Sequence, residues 1–214
     1  LASFWLYTTS QISPLFTVLL VAPIAFVGNW LIYRFLLIPL VRRSKTQGHL
    51  EVDSILATFG MSFILIGLMV SIEGGFFVYK YLSIPISILG STTSLSRLVA
   101  FIIAALIGSM LYLWLNHTRS GVAVRAVSVS TEASGLVGIN VPRVSALAFA
   151  LGGAITAVGG ALISTFITLD ASIGVVFTLK ALIIVIMGGV GDIRGAIVAA
   201  IILGVVETAV ATLI

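Results

Sequence analysis

Cysteine is absent from this 214-residue chain. That excludes a disulfide framework, a thiolate-ligated zinc or iron–sulfur centre, and a thiol nucleophile. Histidine is nearly absent too: His49 and His117 are the only two. Both are expected in loops, and no H-E-x-x-H pattern surrounds either, so no metal site is read from them. Charge is the third scarcity, at 8% of residues against about 25% in an ordinary soluble domain. Eleven Lys and Arg with seven Asp and Glu cannot coat a water-soluble fold of this size without very large apolar patches. No G-x-x-x-x-G-K-[ST] phosphate loop occurs, so nucleotide binding through such a loop is excluded. No cofactor site is read anywhere in the chain.

What the chain has in abundance is apolar sequence. Hydrophobic residues make up 60%, the mean hydropathy is +1.26, and 21 glycines fit transmembrane helices better than soluble ones. Lipid is the expected solvent for most of the surface. The net charge of +4 does not indicate nucleic acid, because the basic residues are scattered among apolar runs and form no stripe with interleaved aromatics.

A helix crossing the hydrocarbon core needs about 20 mostly apolar residues. Runs of that kind extend from Leu15 to Val41, Ile55 to Ile72, Leu98 to Leu115 and Val144 to about Leu169. A broken segment follows. Lys180 to Met187 is apolar but short, Gly188–Gly195 is glycine-rich, and Ala196 to Ile214 is apolar again; the pair is one broken hairpin or two spans. With the loops assigned alternately, Arg42, Arg43, Lys45, Arg119, Arg125, Arg143 and Arg194 share one side, and Lys80, Arg97 and Lys180 share the other. The positive-inside bias makes the first side cytoplasmic. Arg34 lies within the first span but near its basic end, where it can snorkel to the interface.

Four acids come near membrane depth. Glu73 and Asp170 fall at outer span ends, Asp192 closes the glycine-rich turn locally, and Glu207 alone falls within an apolar run, to stand at the interface or to face the bundle interior. One acid makes no proton relay, which argues against an ion-coupled secondary transporter. A membrane-embedded enzyme would need a convergent polar cluster, and none is visible.

The segment from Asn116 to Arg143 is too long and too patterned for a plain connector. Ser130 or Thr131 can cap a short helix with Glu132 in its first turn, near the positive end of the dipole. Gly138 suits the position just past its end. Asn140 can cap the next helix, with Pro142 in its first turn. The expected product is a short cytoplasmic helix between two membrane helices. Thr131–Gly138 offers one acid and small apolar residues rather than the opposed Lys and aromatic faces of a membrane anchor, so docking on a soluble partner is favoured.

Glu132-Ala133-Ser134, with Gly138 six positions after the acid, resembles the EAA-x-x-x-G loop of ABC importer permeases. Thr118-Arg119-Ser120-Gly121, Arg125-Ala126-Val127 and Leu136-Val137-Gly138-Ile139-Asn140-Val141-Pro142-Arg143-Val144 are similar to the branched-chain amino-acid permeases of the LivH type. Ala146 to Ala154, Leu179-Lys180-Ala181 and Gly188 to Ala196 continue the likeness. Val122, Ser134 and Asp192–Arg194 depart from it, and the I-x-L-P ending of the general loop is missing.

The resemblance implies an all-α polytopic transmembrane bundle, with residues 1–214 a single permease domain and 116–143 its cytoplasmic coupling loop. It implies a fragment lacking N- and C-terminal helices, with Leu1–Tyr7 the end of one of them, in a bacterial or archaeal cytoplasmic membrane. The implied function is translocation of Leu, Ile and Val. Urea or short-amide permeases and pentose or nucleoside permeases are the related alternatives. The implied partners are a second homologous permease subunit, two ABC ATPase subunits that carry the hydrolysis, an extracytoplasmic binding protein and the lipid bilayer, with no nucleic acid. Glu132, Ala133, Gly138, Ile139 and Asn140 would form the coupling site, with Arg119, Arg125 and Arg143 fixing it.

Small residues at four-residue spacing let helix backbones approach closely in lipid. Ala146, Ala150 and Ala154 form one such row, and Gly153, Ala157 and Ala161 another. Gly152, Gly159 and Gly160 widen the small face. This face packs tightly or lines the pathway, and Gly188, Gly189 and Gly191 form a helix break that lies near the route or turns between two spans.

Overall fold

The computed structural model describes residues 14–43, 47–73, 76–77, 85–88, 91–167, 169–170, 173–189 and 191–213. Leu1–Tyr7, Lys45, Gly74, Gly75 and Lys80 lie outside the described residues. Five of the described helical segments are long and apolar enough to cross a membrane: Leu19–Val41, Val52–Ser71, Leu95–His117, Val141–Ile163 and Ile193–Leu213. The fold is an all-α polytopic bundle, with short strand pairs confined to its connections.

The first span is built from α1 (Pro14–Ile32), a π-helical segment (Tyr33–Leu37) and α2 (Ile38–Arg43). Pro39 supplies a reason for the π segment. It has no N–H to give the carbonyl four residues back, and its ring crowds that carbonyl, so the ladder widens just before it. The second span lies in α3 (Gln47–Glu73) and the third in α4 (Leu95–His117). His49 and His117 are therefore helical and not in loops, because each adjoins an apolar run that carries the helix over it.

The segment expected to hold one short helix holds two, α5 (Arg119–Val129) and α6 (Thr131–Leu136). The fourth span, α7 (Val141–Ile163), ends before Leu169. Ser164 and Thr165 there turn their buried hydroxyls back onto the Ala161 and Leu162 carbonyls, at 2.7 Å each, and those bonds satisfy groups a further helical turn would have used. The broken segment is a helical hairpin of α8 (Ile173–Gly188) and α9 (Ile193–Leu213).

Two antiparallel strand pairs link the helices. β2 (Pro85–Ile88) pairs with β3 (Ser91–Ser94), and β1 (Phe76–Phe77) pairs with β4 (Leu169–Asp170). Through the register Phe76 to Asp170, the end of α3 and the segment after α7 meet at one end of the bundle, as expected for Glu73 and Asp170.

The packed centre lies between the first span and α7. Ala146, Ala150, Ala154, Val158, Ala161 and Leu162 of α7 are buried, with Val21 of α1. Elsewhere, large apolar side chains such as Phe35, Phe63, Phe101 and Ile186 are exposed, as lipid-facing helices require.

Candidate functional site

The polar segment between α4 and α7 is held by local bonds throughout. The Thr118 hydroxyl donates to the Trp114 carbonyl at 2.6 Å and accepts from Gly121 N–H at 3.1 Å, so one side chain closes α4 and opens α5. Gly121 is needed at this corner. A Cβ there would lie 2.5 Å from Leu115 Cα and closer still to the Trp114 carbonyl. Arg125 reaches back to Asn116, Nη1 to Oδ1 2.6 Å, and fastens α5 to the end of α4.

α6 is capped as the residues suggest. Ser130 Oγ accepts from Ala133 N–H at 3.2 Å, and Glu132 stands in the first turn. Gly138 has φ +82°, the left-handed conformation that closes helices. Ile139 N–H donates to the Ser134 carbonyl at 3.1 Å across it, and Asn140 Oδ1 accepts from Arg143 N–H at 3.2 Å to open α7. Ser134 is buried, whereas Leu136 and Val137 are 91% and 78% exposed. The segment thus presents an apolar tip at an end of the bundle rich in Arg.

That end gathers residues far apart in sequence. Arg34 lies over the Trp30 ring at 5.1 Å and shares a crevice with Pro142 and Arg143. Arg194 is bonded to the Tyr112 hydroxyl. Tyr112, Asn116, Arg125, Ser128, Asp192 and Arg194 line another crevice. Arg125, Arg143 and Arg194 therefore lie at one end, and Arg97, against the Phe166 ring at 5.9 Å, lies at the start of α4.

The glycine-rich turn sits at the Arg194 end. Gly189 and Gly191 take φ +86° and +90°, and Asp192 Oδ1 accepts from Arg194 N–H at 2.9 Å, closing the backbone locally. Gly188 and Gly195 meet backbone to backbone, where a side chain on either would collide. The glycines thus close a tight turn between α8 and α9. Among the small residues of α7, Gly153 abuts Asn29, while Gly152, Gly159 and Gly160 have open space beside them.

Lys180 is the main correction. It is not in an outer loop: it lies midway along α8 and forms an ion pair with Glu207, about two thirds of the way along α9. Glu207 is accordingly not isolated. A lone charge at the centre of a membrane helix costs about 3 kcal/mol on insertion scales, and pairing across the hairpin offsets part of it. The available signal was one Lys and one Glu in consecutive apolar helices, each without another partner nearby.

Residues 1–214 match the family described as Branched-chain amino acid transport system / permease component. The chain belongs to this permease family. The high-affinity branched-chain amino acid transport system permease protein LivH of Salmonella typhimurium strain LT2 is 36% identical over 110 residues, 51% of this chain and 36% of that protein. LivH of Escherichia coli K12 gives the same identity and coverage. The corresponding permease protein BraD of Pseudomonas aeruginosa is 31% identical over 119 residues, 55% of this chain and 39% of its own. The matches to these relatives thus span little more than a third of each relative's length. No solved structure matches. The permease chain is a multi-pass protein of the cytoplasmic membrane, and its family is a transport component rather than an enzyme.

Proposed function

We propose that this chain forms the membrane-spanning part of an ATP-driven importer for Leu, Ile and Val, delivered by an extracytoplasmic binding protein. A second homologous permease subunit completes the pathway, and two separate ATPase subunits supply the work. The observation that carries the reading is α6, a capped helix outside the spans with Glu132 at its start and exposed Leu136 and Val137 at its end.

In this reading Glu132, Ala133, Gly138, Ile139 and Asn140 seat in a groove of the ATPase. Arg119, Arg125 and Arg143 set the segment against the membrane or pair with acids on the ATPase. Motion enters through a short lever, since α6 is joined to α5 and α7 by caps with little free chain. Residues 116–143 then act as the coupling loop of a single permease domain. The relatives named for branched-chain amino acid transport support the substrate.

Glu132→Arg in the full-length permease, assembled with its partners, tests this. Membrane abundance stays normal, while leucine uptake and ATP hydrolysis stimulated by loaded binding protein both fall. Normal uptake in that variant would remove α6 from the coupling role, and rescue of urea or ribose uptake instead of leucine would replace the substrate.

A further inference from the structure

We propose that Lys180 and Glu207 form an intramembrane site for the zwitterionic head group of an aliphatic amino acid, carboxylate to Lys180 and ammonium to Glu207. The inference rests on the importer reading and adds to it the place where the cargo is recognised within the bilayer.

Depth is the first argument. At about 1.5 Å per residue, Lys180 stands about 12 Å from the Gly188 end of α8, and Glu207 about 21 Å from the Ile193 end of α9. α9 is long and apolar enough to cross a membrane, and Glu207, about 9 Å from its Leu213 end, falls within that apolar length together with its ion-pair partner Lys180. Ionisable residues at such depth face protein or a water-filled cavity and mark pathways.

Access and surroundings are the second. The Lys180 and Glu207 side chains are 35% and 56% exposed, so the pair lies on a face of the hairpin that the other described helices of this chain leave uncovered. Helical spacing sets Phe177 and Ile184 beside Lys180, and Leu203 and Val210 beside Glu207. The Phe177 ring centre is 5.7 Å from Lys180 Nζ. Two opposite charges within an aliphatic and aromatic surround complement a molecule that has two opposite charges and a branched aliphatic side chain.

Exchange is the third. When the site is empty, Lys180 and Glu207 neutralise each other. An arriving zwitterion opens one ion pair and makes two, so no charge on the protein or the cargo is left alone in low dielectric at any stage. Because the resting pair competes with the cargo, binding is weak, as passage requires.

The full-length permease, reconstituted with its partner subunits, is assayed for ATP-driven leucine uptake and for hydrolysis stimulated by loaded binding protein. The doubly neutral K180M/E207L variant leaves no orphan charge and so separates folding from binding. It is expected to insert and hydrolyse within about twofold of wild type while leucine uptake falls about tenfold or more. The charge-swapped K180E/E207K variant keeps the clasp between α8 and α9 but reverses the site, and its uptake stays low. Restored uptake in the swapped variant, normal uptake in the neutral one, or parallel loss of hydrolysis and uptake in both would make the pair a structural clasp and overturn the inference alone. Failure of the wild-type assembly to accumulate leucine would overturn the importer reading, and this inference with it.

Discussion

Gly153 of α7 lies against the side-chain amide of Asn29 in α1, so near that a single Cβ on the glycine would overlap Asn29 Cγ. Asn29 cannot simply swing aside, because its Nδ2 donates to the Ala25 carbonyl at 2.8 Å. This approach of α7 to α1 thus depends on one missing methyl group and one anchored amide.

Gly153→Ala should destabilise the protein by about 1–3 kcal/mol through this overpacking. Gly152→Ala, one residue away with open space beside it, should be nearly neutral. Thermal unfolding in detergent separates them, and Asn29→Ala should recover part of the Gly153→Ala loss as a coupled pair. Equal losses for both glycines would mean that α7 does not pack in this register.

Gly121→Ala should cost at least as much, about 3 kcal/mol, since the obstacle is the backbone of Trp114 and Leu115 rather than a side chain. The corner between α4 and α5 would have to open, shifting Arg125 away from Asn116. Limited proteolysis between α4 and α7 should speed up, and an unchanged cleavage rate would argue against the corner as described.

Ser130→Ala removes the cap of α6 and should cost about 1 kcal/mol, with Ser130→Asp close to wild type because its carboxylate also accepts at this position. Hydrogen exchange across Thr131–Leu136 is the direct readout. Faster exchange in the Ala variant and slow exchange in the Asp variant are expected; equal exchange in all three would remove the cap from the account.

Gly138→Ala forces an L side chain to φ +82°, a strain of about 1–2 kcal/mol. Gly138→Asn should be milder, since Asn tolerates the left-handed region. Leucine uptake should follow the order Gly, Asn, Ala with membrane abundance held constant. Ala at wild-type uptake would show that the turn is not needed for coupling.

Much of the architecture is legible in the residues because its causes are local. The first four spans follow from apolar runs bounded by polar residues, and Ser130, Gly138 and Asn140 occupy the cap positions assigned to them because a cap involves only residues within a turn of itself. The 11-residue helix α5 is not legible in the residues, since Arg119–Val129 has no strong apolar run and its start depends on Thr118 bonding to both neighbouring helices. Hydropathy does not reveal where α7 ends, because it continues past Ile163 while the buried Ser164 and Thr165 hydroxyls turn the chain.

The amino-acid sequence alone determined the solvent, the spans, the side bearing most of the arginines and the caps of the polar segment, all of which depend on composition and near neighbours. Tertiary structure decided which glycine of α7 is pressed against another helix, since Gly152 and Gly153 differ only in the direction each faces. It also decided that Lys180 and Glu207 meet. A charge seen along the chain reads as a loop or an end, and only the antiparallel return of α9 beside α8 brings its counter-charge within reach.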